Sequence, residues 1–248
     1  FLFCMMDQLV NQAAKMHYMS NGQLSVPMVM RAPVGAVRRG AQHAQSLESY
    51  FTHVPGLKVI CPSTAYDAKG MMIQAIRDNN PVLVFEHKLL YGDKREAGNV
   101  SAEGEVPEES YTIPFGKAAV RREGRDITIV ANLLMWYKAM EAAEVLEKEG
   151  ISCEIIDPRS LYPFDYDTVV ASIKKTGKLM IVHEDTYTNG WGAQLAAYIA
   201  ENAIMHLDAP VVRVATPDCP IPFAPVLEEY LIPSAERIAE EARKLARL

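Results

Sequence analysis

The sequence has no long hydrophobic run. Its apolar segments, such as residues 127–131 and 179–182, have the length of a strand, whereas a membrane-spanning helix needs roughly eighteen or more apolar residues. A basic excess is also missing, since 25 Lys and Arg against 31 Asp and Glu give a net charge of −6. One tight basic cluster, Arg121, Arg122 and Arg125, has acidic residues between its members, and we interpret it as a solvated turn. These absences exclude a membrane-spanning protein and argue against a nucleic-acid-binding one, which needs a concentrated basic face.

Cysteine is scarce, and its spacing matches no paired motif. The four cysteines are far apart, and none belongs to a Cys-x-x-Cys pair, so a zinc ribbon or a dithiol redox motif is not expected. Cys61 and Cys153 lie inside apolar segments and are predicted to be buried. This usage is typical of a reducing compartment, and we expect a cytoplasmic protein.

Several motifs that carry chemistry on their own are missing as well. The sequence has no Gly-x-x-x-x-Gly-Lys-Ser/Thr loop, no complete Gly-x-Gly-x-x-Gly fingerprint and no Gly-x-Ser-x-Gly elbow. The six histidines lack the spacing of metal ligands. The segment 190–193 resembles part of a dinucleotide loop, but we favour a tight turn with close packing of strand against helix.

What the chain does have is an alternation of short apolar segments with helical patterns. Asp67 is predicted to cap one helix, a second ends at Gly150, and Ser234 is predicted to open the last one. The apolar segments are rich in Val and Ile on both faces, as parallel strands covered by helices are. The alternation predicts an α/β fold with a mostly parallel sheet. The predicted strands are residues 26–30, 57–61, 82–85, 127–131, 153–157, 179–183 and 211–215.

A polar, acidic stretch interrupts the alternation between residues 92 and 110. It contains Gly98, Gly104 and Pro107 without apolar periodicity, which is typical of a linker. We therefore predict a first domain over residues 1–93, a linker over 94–116 and a second domain over 117–248. The first domain has only about three predicted strands, few for a doubly wound sheet, so we expect further structure upstream of Phe1.

Two segments contain candidate functional histidines. His43 lies in the small polar segment 40–46, where an imidazole could approach a ligand and transfer protons near neutral pH. From the residues alone, a helix-terminal or core position is the simpler interpretation. His183, Glu184 and Asp185 follow a predicted buried strand, at the kind of position where α/β sheets bind ligands. A capping or interface role is the simpler interpretation for these three residues.

A series of ordered sequence blocks resembles one known family. The blocks in the first half are residues 7–15, 40–46, 53–59, 66–70, 76–81 and 86–91. They resemble the β subunit of the thiamine-diphosphate-dependent E1 component of 2-oxoacid dehydrogenase complexes, whose members include the pyruvate, branched-chain 2-oxoacid and acetoin dehydrogenases. In the second half, residues 156–161 and 182–184 resemble the transketolase C-terminal domain carried by these subunits. The resemblance covers essentially the whole chain.

The resemblance implies a division of labour between subunits. The chain would supply a transketolase-like pyrimidine-binding domain, truncated at its N-terminus, and a transketolase C-terminal α/β domain. An E1 α subunit, in an α2β2 heterotetramer, would hold the diphosphate of thiamine diphosphate and its Mg²⁺, which agrees with the missing phosphate loop. The implied reaction is the oxidative decarboxylation of a 2-oxoacid, or the cleavage of acetoin, with acyl transfer to the lipoyl group of the E2 acyltransferase.

The resemblance also implies two residues at the cofactor. The family's histidine falls on His43, which is then expected to face the thiazolium ring and to donate a proton to a lipoyl sulfur during reductive acylation. A general acid with a pKa near neutrality suits that step. Phe1 falls where the family places an aromatic ring against the aminopyrimidine, although Phe3 competes for this position.

A potassium site is a further implication of the resemblance. Met28, Ala75, Asp78 and Asn80 occupy the positions that hold this ion in the family, largely through main-chain carbonyl oxygens. Oxygen-only ligation suits a hard cation. The alternative is that residues 78–81 form only a helix stop and a turn.

Two departures from the family pattern affect these expectations. The family's activating glutamate lies upstream of the position of Phe1, so we expect activity only when the α subunit and that upstream segment are both present. Arg38 and Arg39 make the segment before Gly40 more basic than in many relatives. They could meet a substrate carboxylate or an acidic partner, but exposed loop charge is the simpler interpretation.

Two other functions stay open at this point. The chain could be the C-terminal part of another transketolase-like thiamine enzyme, such as transketolase or deoxyxylulose-phosphate synthase. It could also be a non-catalytic assembly module, since a fold does not by itself imply a function. A phosphate-binding half on the same polypeptide would favour the first, and thiamine-independent binding of an E2 domain would favour the second.

Overall fold

The computed structural model describes residues 2–92, 102 and 104–248, and its helices and strands alternate as predicted for an α/β fold. A π-helix over Asp7–Ala13 continues into α1, and short 3₁₀ helices span Leu2–Met5, Lys88–Leu90 and Ile204–His206. The strands are β1 (Val29–Val34), β2 (Lys58–Ile60), β3 (Val82–His87), β4 (Ala119–Arg122), β5 (Ile127–Ala131), β6 (Cys153–Asp157), β7 (Ser160–Tyr162), β8 (Leu179–Thr186) and β9 (Val212–Thr216). The α-helices are α1 (Ala14–Met19), α2 (Glu48–Thr52), α3 (Ala65–Ile76), α4 (Leu133–Lys148), α5 (Tyr166–Thr176), α6 (Trp191–Asn202), α7 (Pro225–Leu231) and α8 (Ala235–Ala246).

The first sheet has the strand order β1-β3-β2-β7. Strand β3 pairs in parallel with both β1 and β2. Strand β7 comes from the second half of the chain and pairs antiparallel with β2, Val59 lying opposite Tyr162. A three-residue strand carries too little periodicity to be predicted from sequence. Through β7, the second half of the chain completes the sheet of the first half.

The second sheet has the order β4-β6-β5-β8-β9. Strands β6, β5, β8 and β9 are parallel, and β4 is an antiparallel edge strand. Every residue of β5 and β6 is buried, because helices cover both faces of a parallel sheet. The predicted burial of Cys153 on β6 and of Cys61 after β2 is confirmed, since both are 0% exposed.

The first strand and the cap of α3 differ from the prediction. The first strand begins three residues later than predicted and extends through Pro33 to Val34; a proline is tolerated there because β1 is an edge strand. Helix α3 is capped by Thr64, whose hydroxyl accepts the N–H of Asp67 over 3.1 Å. Asp67 is the third residue of the helix and completely buried, so it is not the cap. The predicted opening of α8 by Ser234 is confirmed, because its side chain accepts the N–H of Arg237.

The interpretation of the basic cluster as a solvated turn was wrong for Arg121, although Arg125 does lie at an exposed bend. Arg121 lies on β4 and its guanidinium pairs with two fully buried carboxylates, those of Asp67 and, over 2.9 Å, Asp157. Arg159 adds a second cation, its Nε lying 3.0 Å from Asp67. Local composition did not reveal this cluster because Asp67 lies on a helix of the first half. We call these four residues the ion-pair cluster. Among the described residues, no helix is both long and apolar enough to cross a membrane.

Candidate functional site

His43 lies at the surface, on the loop between β1 and α2. Its peptide N–H donates to the carbonyl of Gly40 over 3.2 Å, and the N–H of Ala44 donates to the same carbonyl over 3.1 Å. Gly40 has a φ of +75°, which glycine adopts without steric cost. The turn presents the His43 side chain at an exposed position. A core position for His43 is therefore wrong.

Lys88, on the 3₁₀ helix after β3, binds this loop at two points. Its ammonium group donates to the carbonyl of His43 over 2.6 Å and to the carbonyl of Gly35 over 3.2 Å. Burial lowers the pKa of Lys88, while the negative charges of Glu184 and Glu228 act in the opposite direction. One side chain thus joins two points of the loop that are eight residues apart in sequence.

Carboxylates from the second half of the chain hold the backbone of the same loop. The N–H of Ala36 donates to Glu184 Oε1 over 2.5 Å. The N–H of Arg38 donates to both oxygens of Glu228, over 2.8 and 3.0 Å. Hydrogen bonds to ionised acceptors are roughly twice as strong as neutral ones. The conformation of the loop that carries His43 therefore depends on β8 and α7.

A buried histidine lies beneath the start of this loop. His87 Nδ1 accepts the N–H of Leu89 over 3.2 Å, so its proton is on Nε2, which donates to Glu184 Oε2 over 2.7 Å. Gly35 packs on this ring with a φ of +92°, and a Cβ on Gly35 would lie 2.1 Å from Nε2. Only glycine fits at position 35, because a side chain would overlap the His87 imidazole.

Two more carboxyl groups meet beside this contact. Glu48 at the start of α2 is 3% exposed, and its Oε2 has no hydrogen-bond partner among the described residues. Burial, and after it the negative charge of Asp185, raise the pKa of Glu48 to about 8. Asp185 itself accepts a hydrogen bond from the hydroxyl of Ser49. At neutral pH the protonated form of Glu48 is favoured, and burial raises the pKa of Asp185 as well.

This pair predicts a specific pH dependence of stability. The pKa of Glu48 is higher in the folded chain than the ~4.3 of an unfolded glutamate. Its stabilising contribution is therefore present at acidic pH and is lost as the pH rises through about 8. We expect Glu48→Gln to raise Tm more at pH 8.5 than at pH 6, measured by thermal unfolding. Glu144→Gln, at an exposed position of α4, is the control, and parallel curves for the two variants would contradict the prediction.

The segment 183–185 has the interface role that was one of its two interpretations. Glu184 and Asp185 both bond to residues of the first half. His183 is fully buried, and burial lowers its pKa to about 4. A Cβ on Gly192 would lie 2.6 Å from the His183 ring. The predicted close packing of strand against helix at segment 190–193 is thus confirmed, but the segment is the start of α6, with Gly190 as its N-cap, and the turn lies before it at residues 187–189.

Arg38 is part of the loop structure. It has a φ of +59°, and its guanidinium pairs with Glu229 of α7 over 2.7 Å. Arg39 is exposed. The contact of Arg38 with an acidic group is therefore made inside this chain.

The residues expected to hold potassium lie where α3 ends and β3 begins. Asp78 Oδ1 accepts the N–H of Asn80 over 2.9 Å, and Oδ2 accepts the ammonium of Lys58. The carbonyl groups of Met28 and Ala75 each accept a peptide N–H, over 2.9 and 3.2 Å. The segment therefore forms the expected turn, and a potassium ion bound by Asp78 would share this carboxylate with Lys58. Phe1, the expected aromatic partner of the cofactor, lies outside the described residues.

Comparisons with known proteins identify the fold. The family model "Transketolase, pyrimidine binding domain" matches residues 1–94, and "Transketolase, C-terminal domain" matches residues 116–238. A solved structure of a split-gene transketolase, described as an inactive β4 tetramer, superposes with a TM-score of 0.72 at 25% identity. The match covers 96% of this chain and 74% of that chain. These findings confirm the transketolase-like α/β fold.

Curated relatives narrow the family further. The β subunit of acetoin:2,6-dichlorophenolindophenol oxidoreductase from Cupriavidus necator is 49% identical, over 98% of this chain and 70% of its own length. The chain belongs to the E1 β-subunit family. The 2-oxoisovalerate dehydrogenase β subunit of Bacillus subtilis is 43% identical over 99% of this chain and 73% of its own length. The pyruvate dehydrogenase E1 β subunit of Rickettsia felis is 44% identical over 96% of this chain and 71% of its own length.

In this E1 β chain, sequence reasoning predicted His43 as a site residue but missed the residues that support its loop. Lys88 and His87 were present in one of the resembling blocks without an assigned role. Glu228 carried no sequence signal at all. The only usable sign was the position of Glu184 directly after a buried strand, at the edge where α/β sheets bind ligands.

Proposed function

We propose that the chain acts as the β subunit of a 2-oxoacid dehydrogenase E1 component. In this role it contributes to thiamine-diphosphate-dependent oxidative decarboxylation of a 2-oxoacid, or to acetoin cleavage, with acyl transfer to the lipoyl group of E2. The observation that carries the proposal is the 43–49% identity, over nearly the whole chain, to β subunits named for acetoin, 2-oxoisovalerate and pyruvate. The exposed His43 on its anchored loop supplies a functional group suited to this reaction.

The residues present fit a cofactor shared with another subunit. His43 is exposed on a loop whose backbone is fixed by Lys88, Glu184 and Glu228, so its imidazole is available to a ligand bound from outside this chain. When bound, thiamine diphosphate supplies a nucleophilic carbon for the 2-oxo group and an electron sink for decarboxylation. Phe1 is proposed to stack on the aminopyrimidine.

His43 is proposed to act as a general acid. Lipoyl transfer opens a disulfide, and the sulfur that leaves needs a proton if it is to leave as a thiol near neutral pH. An imidazole is the side chain whose ordinary pKa is closest to that pH. His43 therefore donates a proton from its ring nitrogen to the lipoyl sulfur.

The partners follow from the same proposal. An E1 α subunit holds the diphosphate and Mg²⁺ in an α2β2 heterotetramer, since this sequence has no phosphate-binding loop. The lipoyl acyltransferase E2 receives the acyl group. Within the chain, we propose that residues 1–93 form the pyrimidine-binding part, 94–116 the linker and 117–248 the C-terminal domain. A cytoplasmic location is proposed from the free cysteines, although two rice relatives are named as mitochondrial.

A potassium site at Met28, Ala75, Asp78 and Asn80 is proposed as a structural element. The oxygen donors suit a hard cation, but the ammonium of Lys58 already neutralises Asp78. A rise in Tm with potassium chloride that sodium chloride does not produce, and that Asp78→Asn abolishes, would support the site. Equal effects of the two salts would indicate that Lys58 alone neutralises the charge of Asp78.

The alternatives are less well supported. The split-gene transketolase is 25% identical to this chain, whereas the E1 β subunits are 43–49% identical. A purely non-catalytic assembly module would have no use for an exposed imidazole on a loop with five charge-assisted backbone contacts.

The proposal predicts that the full-length gene product co-purifies with an α subunit. The complex should reduce 2,6-dichlorophenolindophenol with acetoin, pyruvate or a branched-chain 2-oxoacid only when thiamine diphosphate and Mg²⁺ are added. Turnover that requires a sugar phosphate as the donor substrate would instead favour the transketolase alternative. Binding of E2 with no thiamine-dependent turnover would favour the assembly module.

A further inference from the structure

Lys88 contacts the backbone of His43 itself. Its Nζ lies 2.6 Å from the His43 carbonyl oxygen and 3.2 Å from the Gly35 carbonyl oxygen. The loop is also closed by the Gly35 N–H, which donates to Gln45 over 3.1 Å. The ammonium group therefore bridges the two sides of a closed loop.

The backbone before Lys88 is also held in place. His87, directly before it, is 2% exposed and is fixed by Glu184 and by the N–H of Leu89. The charged groups around the ammonium are Glu184, Glu228 and Arg39. Burial lowers the pKa of Lys88, and the carboxylates of Glu184 and Glu228 only partly offset this effect.

We propose that Lys88 is a positioning residue that sets the direction of the His43 imidazole for proton donation to the lipoyl sulfur. This inference rests on the proposed role of His43. The carbonyl that Lys88 holds belongs to His43 itself, so this contact fixes the backbone from which the imidazole projects. Removing the ammonium frees the His43 carbonyl and allows the turn 40–44 to shift.

The test uses the full-length chain assembled with its α subunit. Two rates are compared: reductive acylation of the lipoylated E2 domain, which needs His43, and reduction of 2,6-dichlorophenolindophenol, which requires no transfer to the lipoyl group. Lys88→Met is expected to lower the ratio of the first rate to the second about 10-fold to 100-fold, the range expected when a catalytic group is misplaced by about 1 Å. Lys88→Arg, which keeps a charged donor, is expected to recover most of the ratio.

A double-mutant cycle separates positioning from general stabilisation. If Lys88 acts through His43, the variant with both His43→Ala and Lys88→Met has the same ratio as His43→Ala alone. Multiplicative losses would overturn the proposal. If Lys88→Met does not assemble with the α subunit, Lys88→Gln, which keeps an N–H donor without the charge, is measured in the same cycle.

The controls distinguish this inference from the proposed function. Lys244→Met removes an exposed lysine of α8 that pairs with Glu240 and Glu241, and it should leave both rates unchanged. An unchanged ratio in His43→Ala would refute the role of His43 and with it the basis of the inference. A reduced ratio in His43→Ala but a wild-type ratio in Lys88→Met would refute the inference alone.

Discussion

Replacing His43 with alanine is expected to lower the rate of lipoyl reductive acylation by about 10²- to 10⁴-fold, the usual contribution of a general acid. Reduction of 2,6-dichlorophenolindophenol by the same complex should fall by a much smaller factor, because no lipoyl sulfur needs a proton in that reaction. The side chain is exposed, so its removal creates no cavity. We therefore expect Tm to stay within about 1 °C of wild type, as for most surface substitutions.

The measurement is a single-turnover assay in which the complex acylates a lipoylated E2 domain. His206→Ala removes another exposed histidine, on the 3₁₀ helix Ile204–His206, and serves as the matched control. Equal losses in the lipoyl and dye assays would assign His43 to binding or folding instead.

The second large effect is expected in the ion-pair cluster. Asp67 is 0% exposed and lies between Arg121 and Arg159. Asp67→Ala would leave Arg159 without this partner and Arg121 with Asp157 alone. Removing one member of a buried ion pair typically costs about 3–5 kcal/mol, because the remaining charge is uncompensated in a poorly solvated site. For a chain of this size, the expected fall in Tm is on the order of 10 °C.

Thermal unfolding of the assembled complex measures this effect. The control is Glu147→Ala, which breaks the ion pair of Glu147 with Arg122 at a site where the carboxylate is 55% exposed. Exposed pairs contribute about 0–1 kcal/mol, so this variant should shift Tm by about 3 °C or less. A similar Tm for the two variants would show that Asp67 is not essential to the contact between α3 and β4. Asp67→Asn, which keeps the size of the side chain, separates loss of charge from loss of packing.

The second sheet was largely predictable from the sequence. Strands β5 and β6 have the predicted bounds, because each is a short run of apolar residues buried on both faces. Strands β4 and β7 were missed. Both are antiparallel edge strands with polar or mixed residues, and their position depends on pairing with a distant strand rather than on local periodicity.

The site was predictable in part. The segment 40–46 drew attention to His43 because small polar residues surround an imidazole, and the family resemblance assigned it a role. The turn at Asp78 was also among the interpretations. Arg121 was wrongly interpreted, because a guanidinium next to acidic neighbours in sequence gives no sign of a buried carboxylate on another element. Gly35 could not be understood either, since its requirement arises from the His87 ring.

The α/β class and the family can be recognised from the sequence, and His43 is predicted from it as a site residue. These features depend on local composition and on ordered blocks of residues along the chain. How His43 is held depends on the folded structure. The N–H of Ala36 meets Glu184, 148 residues away, and the N–H of Arg38 meets Glu228, 190 residues away. Hydrogen bonds act over about 3 Å, so contacts of this kind exist only after the two halves of the chain have folded against each other.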